Sequence, residues 1–142
     1  MSLRRAGTTI IELTIAMAIA SILAGITMLR AGQFLDSIAV RGAVTEIQSM
    51  FSLARHVAIA RGAQSVLMID ESSGVITVRS QGEDIRVRDV GDAHRVSLST
   101  NRTSITYSPI GVGYGAANFS LVVSRGSVAD TIVVSRLGRV RH

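Results

Sequence analysis

The chain has 142 residues, 47% hydrophobic and 4% aromatic, with a formal net charge of +5. That length suits one domain with a modest core. The lack of cysteine excludes a disulfide framework and thiolate chemistry, and three scattered histidines without paired ligand spacing argue against a zinc enzyme.

All fifteen basic residues are arginine. A GC-rich coding composition explains this, and so would phosphate recognition, for which the planar guanidinium is suited. The scarcity of aromatics speaks against a base-stacking platform.

Arg4 and Arg5 precede an apolar run. From Leu13 to Leu29 no residue is charged. With Ile10 and Ile11, only Glu12 interrupts about twenty apolar residues, the length at which a helix crosses a bilayer core. The arginine pair favours a cytoplasmic N-terminus and an exported remainder, an asymmetry that Arg30 reduces. Ala18-Ile19-Ala20 offers a signal-peptide cut. Against that cut, the apolar run continues to Leu29, and Glu12 breaks an already short apolar region. A helix retained in the membrane is the better account. Glu12 lies near the helix start, where lipid penalises a carboxylate less and the helix dipole favours one. It reads either as an interfacial residue reaching for water or as a charge awaiting a positive partner in an assembly.

Past Arg30 no proline occurs before Arg61. Val40, Ala43, Val44, Ile47, Met50, Phe51, Ala54, Val57 and Ala58 recur at steps of three and four, an amphipathic helix with one apolar stripe. Arg41, Glu46, Gln48, Ser52 and Arg55 fall between them. Gly62 follows as a C-cap. A helix from about Thr8 to Arg61 is on the order of 80 Å long at 1.5 Å per residue, with Gly25 and Gly32 as points where it can bend.

The remainder reads as antiparallel β. Strands are predicted over 65–70, 75–79, 85–88, 95–99, 104–107, 119–123 and 131–135, with turns at 71–74 and 81–84. Gly111-Val112-Gly113-Tyr114-Gly115-Ala116 matches a dinucleotide-binding pattern, but a strand rather than a helix is expected after it, so a loop is the better reading. No nucleophile–base–acid spacing is present. His56 reads as a surface or packing residue beside the stripe, and His94 as a member of a polar turn with Asp92. Asp70-Glu71 and Glu83-Asp84 read as solvated turn acids, with a weak calcium site as the alternative. Two glycosylation sequons, at Asn101 and Asn118, carry no inference. The chain ends Arg136-Leu137-Gly138-Arg139-Val140-Arg141-His142. If the last strand continues through Gly138, Arg139 and Arg141 share one face. That pair serves either to blunt an edge strand or to contact phosphates.

Arg4-Arg5-Ala6-Gly7-Thr8-Thr9-Ile10-Ile11-Glu12-Leu13 resembles the type III signal of type IV pilins and pseudopilins. The resemblance implies cleavage after Gly7 by a prepilin peptidase and methylation of the new N-terminus, Thr8. It also implies that Glu12 serves assembly by neutralising a neighbour's α-amine. Thr8 departs from the family's usual Phe, and no proline kinks the anchor; the only one is Pro109.

Ser108-Pro109-Ile110-Gly111, the strand at 131–135 and the ending Gly138-Arg139-Val140-Arg141 narrow the resemblance to the minor pseudopilins of the GspH/FimT family, which includes type II secretion system protein H. It implies an α+β, pilin-like fold in which a long N-terminal helix packs on an antiparallel sheet. The divisions would be a leader at 1–7, a membrane helix at 8–29, its amphipathic continuation at 30–62 and a periplasmic β head at 63–142. It further implies a non-enzymatic, cofactor-free, single-pass inner-membrane protein that assembles with other pseudopilins near the tip of a secretion filament. Some FimT-like members bind DNA through a C-terminal Gly-Arg-x-Arg. Gly138, Arg139 and Arg141 match that pattern, with Arg136 beside them, so a DNA-uptake pilin is the alternative function.

Overall fold

The computed structural model describes residues 9–114, 119–135 and 140–141. The chain divides into two units, Met1–Phe34 and Leu35–His142. Helix α1 (Ile10–Arg61) is continuous through Gly25 and Gly32. In the first unit every described side chain from Ile10 to Ile26 is exposed. By length and composition this is a helix able to cross a membrane.

The second unit holds the end of α1 and two antiparallel sheets. Its elements are β1 (Ser65–Asp70), β2 (Val75–Ser80), β3 (Glu83–Asp89), α2 (Val90–His94), β4 (Ser97–Thr100), β5 (Ser104–Tyr107), β6 (Gly113–Tyr114), β7 (Phe119–Arg125), β8 (Val128–Val134) and β9 (Val140–Arg141). One sheet runs β3-β2-β1-β5-β6 and the other β4-β7-β8-β9. Alternation along the strands sends Leu67, Ile69, Ile76, Val78, Ile105 and Tyr107 from the first sheet into a common core. Leu98, Leu121, Val123, Ile132 and Val134 enter it from the second.

The helix stripe completes this core. Val40, Ala43, Val44, Ile47, Met50, Phe51, Ala54 and Ala58 are all buried, as the periodicity predicts, while Val57 lies at the margin. Phe51 meets Phe119 edge-to-face, with ring centroids 5.6 Å apart and planes at 69°. Gly62 ends α1 at φ +57. The amides of Gly62 and Ala63 donate to the carbonyls of Ile59 (3.3 Å) and Ala58 (3.2 Å), a Schellman closure.

The structure departs from the sequence expectations at several ends. β3 begins at Glu83 rather than Ile85, because Arg79 and Asp84 stand opposite each other and pair, with Nε–Oδ1 2.6 Å. The turn shrinks to Gln81-Gly82, both at positive φ, the geometry of a tight hairpin. Helix α2 was not foreseen. The Asp89 carboxylate caps it by accepting from the Asp92 amide at 2.9 Å, and Arg95 at φ +53 ends it, so β4 starts at Ser97 and not at Arg95. β6 lies in the segment read as a loop. β8 runs over 128–134 instead of 131–135. It does not continue through Gly138: β9 returns antiparallel to it, with Val134 opposite Val140 and Val133 opposite Arg141.

Candidate functional site

Two sites were expected from the sequence, one at each end of the chain. At the N-terminal end, Gly7 and Thr8 lie outside the described residues. The Thr9 carbonyl accepts from the Leu13 amide at 3.1 Å, which makes Thr9 the N-cap of α1. The Thr9 hydroxyl accepts from the Glu12 amide at 3.3 Å, and the Glu12 carboxylate accepts from the Thr9 amide at 3.4 Å. These reciprocal bonds are a capping box. Its signature, Thr followed three residues later by Glu ahead of an apolar run, is local and stands in the sequence.

At the C-terminal end, Arg136, Gly138 and Arg139 lie outside the described residues, and Arg141 is described only as backbone on edge strand β9. β9 pairs antiparallel with β8, so Arg141 does not lie on a continuation of the strand 131–135.

A chain of partly buried charges, also unforeseen, ties the helix to both sheets. Arg125 Nε on β7 lies 2.9 Å from the Asp36 carboxylate on α1. The same guanidinium donates to the His94 carbonyl on α2 at 2.9 Å. The His94 ring Nε2 is 2.9 Å from Glu46 on α1, and Arg88 Nε on β3 is 3.3 Å from the other Glu46 oxygen. Asp36 and Arg125, its outermost members in sequence, are 89 positions apart. No local pattern announces their meeting.

The turn acids are bound into the scaffold. Asp70 accepts from the Ser72 hydroxyl (2.6 Å) and amide (3.0 Å). The hydroxyls of Ser72 and Ser73 hold its carboxyl down at about 2. Glu71 accepts from the Thr100 amide at 2.9 Å. Hydrogen bonding to Arg79 holds Asp84 below its ordinary range. Among the described residues no group of three or more His, Asp and Glu side chains is placed to hold a metal ion. His56 is exposed, its Nδ1 2.8 Å from the Ser52 carbonyl. In the glycine-rich segment Gly111 closes a turn, its amide donating to the Ser108 carbonyl at 2.8 Å, and the strand β7, not a helix, follows. A hollow of about 300 Å³ on the outer face of β1 and β2 is lined by Met68, Val75 and Thr77 with Asp70 and the Arg79–Asp84 pair at its margin.

Comparison with known proteins supplies the context for this scaffold. The family model described as type II transport protein GspH matches residues 43–138. No curated protein matches the chain. Among solved structures, the type IV minor pilin FimU of Pseudomonas aeruginosa is similar, with a TM-score of 0.62 at 14% identity over 76% of this chain and 90% of that one. The minor pseudopilin EpsH from the type 2 secretion system of Vibrio cholerae is similar as well, at 0.53 and 13% identity over 75% and 94%. At these identities the likeness is one of fold.

Proposed function

Since the chain belongs to the GspH family of minor pseudopilins and type IV minor pilins, we propose that it is a structural subunit at or near the tip of a type II secretion pseudopilus or related filament, acting in assembly and protein secretion. The observation that carries this reading is the two-part character of α1. Its first stretch exposes every described side chain and is apolar enough to span a membrane. From Val40 onward its stripe is the core of the head. A subunit that must sit in a membrane, leave it and join a filament needs such a helix.

On this reading the chain crosses the inner membrane once, with its N-terminus cytoplasmic and its head periplasmic. Prepilin peptidase removes residues 1–7, Thr8 is methylated, and Glu12 pairs with the α-amine of a neighbouring pseudopilin, since an unpaired charge in lipid is costly. The protein is neither an enzyme nor a holder of cofactor or small-molecule substrate. The test is deletion and complementation. Loss of filament or secretion in the deletion strain, restored by the intact gene and not by Gly7→Lys, supports the reading; full function without the gene overturns it.

A second reading, a DNA-binding pilin for uptake, is favoured by charge. Arg41, Arg55, Arg86, Arg95 and Arg102 have no carboxylate within ion-pairing distance among the described residues. They leave positive charge free for phosphates, and the Gly138-Arg139-Val140-Arg141 ending, with Arg136, adds arginines in the sequence. Binding of duplex DNA by the detergent-solubilised chain, weakening steeply with salt and lost in Arg139→Ala/Arg141→Ala, is the expected result on that reading. Absence of binding at low salt removes it.

A further inference from the structure

Pro109 and Ile110 form the tip of the hairpin between β5 and β6. The Gly111 amide donates to the Ser108 carbonyl at 2.8 Å and the Ser108 amide to the Val112 carbonyl at 2.9 Å. The Val112 amide donates to the Ser108 hydroxyl at 3.1 Å. Pro109 fixes its own φ at the second position of the turn. Gly111, at φ +78, seats the tip on the last turns of α1, since a β-carbon there would stand 3.0 Å from both Arg55 Nε and Ile59 Cδ1. On this brace Ile110 is 78% exposed, more than any other large apolar side chain described in the second unit, and Ile59 beside it is 49% exposed. An apolar side chain already held rigid in water loses little freedom on binding. Arg55, at the same place, has no carboxylate within ion-pairing distance among the described residues.

The hollow on the outer face of β1 and β2 has the matching character. Met68, Val75 and Thr77 floor a volume of about 300 Å³, and Met68 is 42% exposed. At its margin Arg79 and Asp84 neutralise each other. Asp70 takes its bonds from Ser72 and has no cationic partner among the described residues. Tyr107, just before the tip, stands opposite Ser65 at the start of β1, while Asp70 ends that strand, so tip and hollow lie toward opposite ends of the sheet. The tip rests against α1, which packs on the inner face of the sheet, whereas the hollow opens on the outer face. One copy therefore presents the two surfaces in different directions.

We propose that a second copy of this chain docks head to tail on the first. Ile110 of one copy enters the hollow between Met68, Val75 and Thr77 of the next, and Arg55 comes to Asp70. The buried apolar anchor supplies the affinity, and the charges at the rim set the register. Because the two surfaces differ, the contact is heterologous and leaves one tip and one hollow unused at the ends of a row. It forms between heads and depends on neither the secretion reading nor the DNA reading.

The chain has no cysteine, so introduced ones report the contact. Full-length Ile59→Cys and Thr103→Cys chains are purified in detergent, mixed and treated with a short bismaleimide; Ile59 flanks the tip and Thr103 lines the hollow. The mixture is expected to yield a cross-linked dimer, and either chain alone about tenfold less. Ile110→Asp in the Ile59→Cys chain is expected to cut the yield by about tenfold or more, and the same change in the Thr103→Cys chain to leave it unaltered. Met68→Glu is expected to show the reverse dependence, with Met68→Gln in its place if the charge lowers the melting temperature. No cross-link in the mixture overturns the proposal. So does an equal yield from either chain alone, or an equal loss whichever chain carries Ile110→Asp.

Discussion

Asp36 and Arg125 lie 2.9 Å apart, and the glycine after Arg125 is what lets them meet. A β-carbon at Gly126 would stand 2.6 Å from the Asp36 carboxylate, on a backbone at φ +58. Gly126→Ala therefore both strains the turn and pushes on Asp36, at an expected cost of about 1–3 kcal/mol. Asp36→Ala should cost about 1–2 kcal/mol, between the values for surface and buried pairs, because both side chains keep about a quarter of their exposure. In the Asp36→Ala background the collision is gone and only the backbone term remains. The two changes together should cost less than their sum in denaturant unfolding of the full chain. Strict additivity would show that Gly126 is required for its φ alone.

Phe51 and Phe119 join the helix stripe to the four-stranded sheet through an edge-to-face contact, both fully buried. Phe51→Ala opens a cavity at that junction and is expected to cost about 3–5 kcal/mol. Phe51→Leu, which keeps most of the volume, should cost less than half as much. Urea unfolding midpoints with unchanged slope check this.

These two contacts mark what the sequence could and could not announce. The stripe from Val40 to Ala58 was legible because one face of a helix repeats every three to four residues, and burial followed that pattern nearly residue by residue. The hairpin strands expected at 65–70 and 75–79 were legible from β-branched residues broken by a glycine turn, the second ending one residue later at Ser80. Asp36, Glu46, Arg88, His94 and Arg125 were not, since their meeting depends on the crossing of α1 with α2 and both sheets. Helix α2 was missed because five residues are too few for periodicity, and the cap at Asp89 was hidden beside a run of charges. The place of Arg141 was not legible for a different reason: alternation assumes a continuous strand, and Val140 and Arg141 pair antiparallel with Val134 and Val133. At the N-terminus the Thr9–Glu12 capping signature stands in plain sequence, three residues apart ahead of an apolar run.

Tyr107 is fully buried, and its hydroxyl has no hydrogen-bond partner among the described residues. Burial pushes its pKa up to about 12, against a smaller opposing pull from Arg55. Ionisation is thus harder in the folded state than in the unfolded chain. Its contribution to stability is full below pH 10 and is lost as pH rises through about 12. Tyr107→Phe removes a desolvated hydroxyl and is expected to leave neutral-pH stability unchanged or raised. It should also flatten the fall in stability between pH 10 and 12. A loss of more than about 1 kcal/mol at pH 7 would mean that the hydroxyl is satisfied after all.

Asp70 supplies the opposite case on the acid side. The Ser72 and Ser73 hydroxyls and amides hold its carboxyl at about 2, below its ordinary value of 3.8. The folded state therefore favours the ionised form, and the stabilisation is present above pH 3.8 and is lost as pH falls through about 2. Asp70→Asn removes this titration and should make the acid limb of the stability curve shallower between pH 4 and 2. Ser72→Ala should act in the same direction by deleting the largest of the bonds that depress the carboxyl. Because Asp70 is open to solvent, the effect at pH 7 should be small, and the change of slope in acid is the diagnostic. Equal acid slopes for the wild type and Asp70→Asn would show that the turn at Asp70 does not discriminate between the two protonation states.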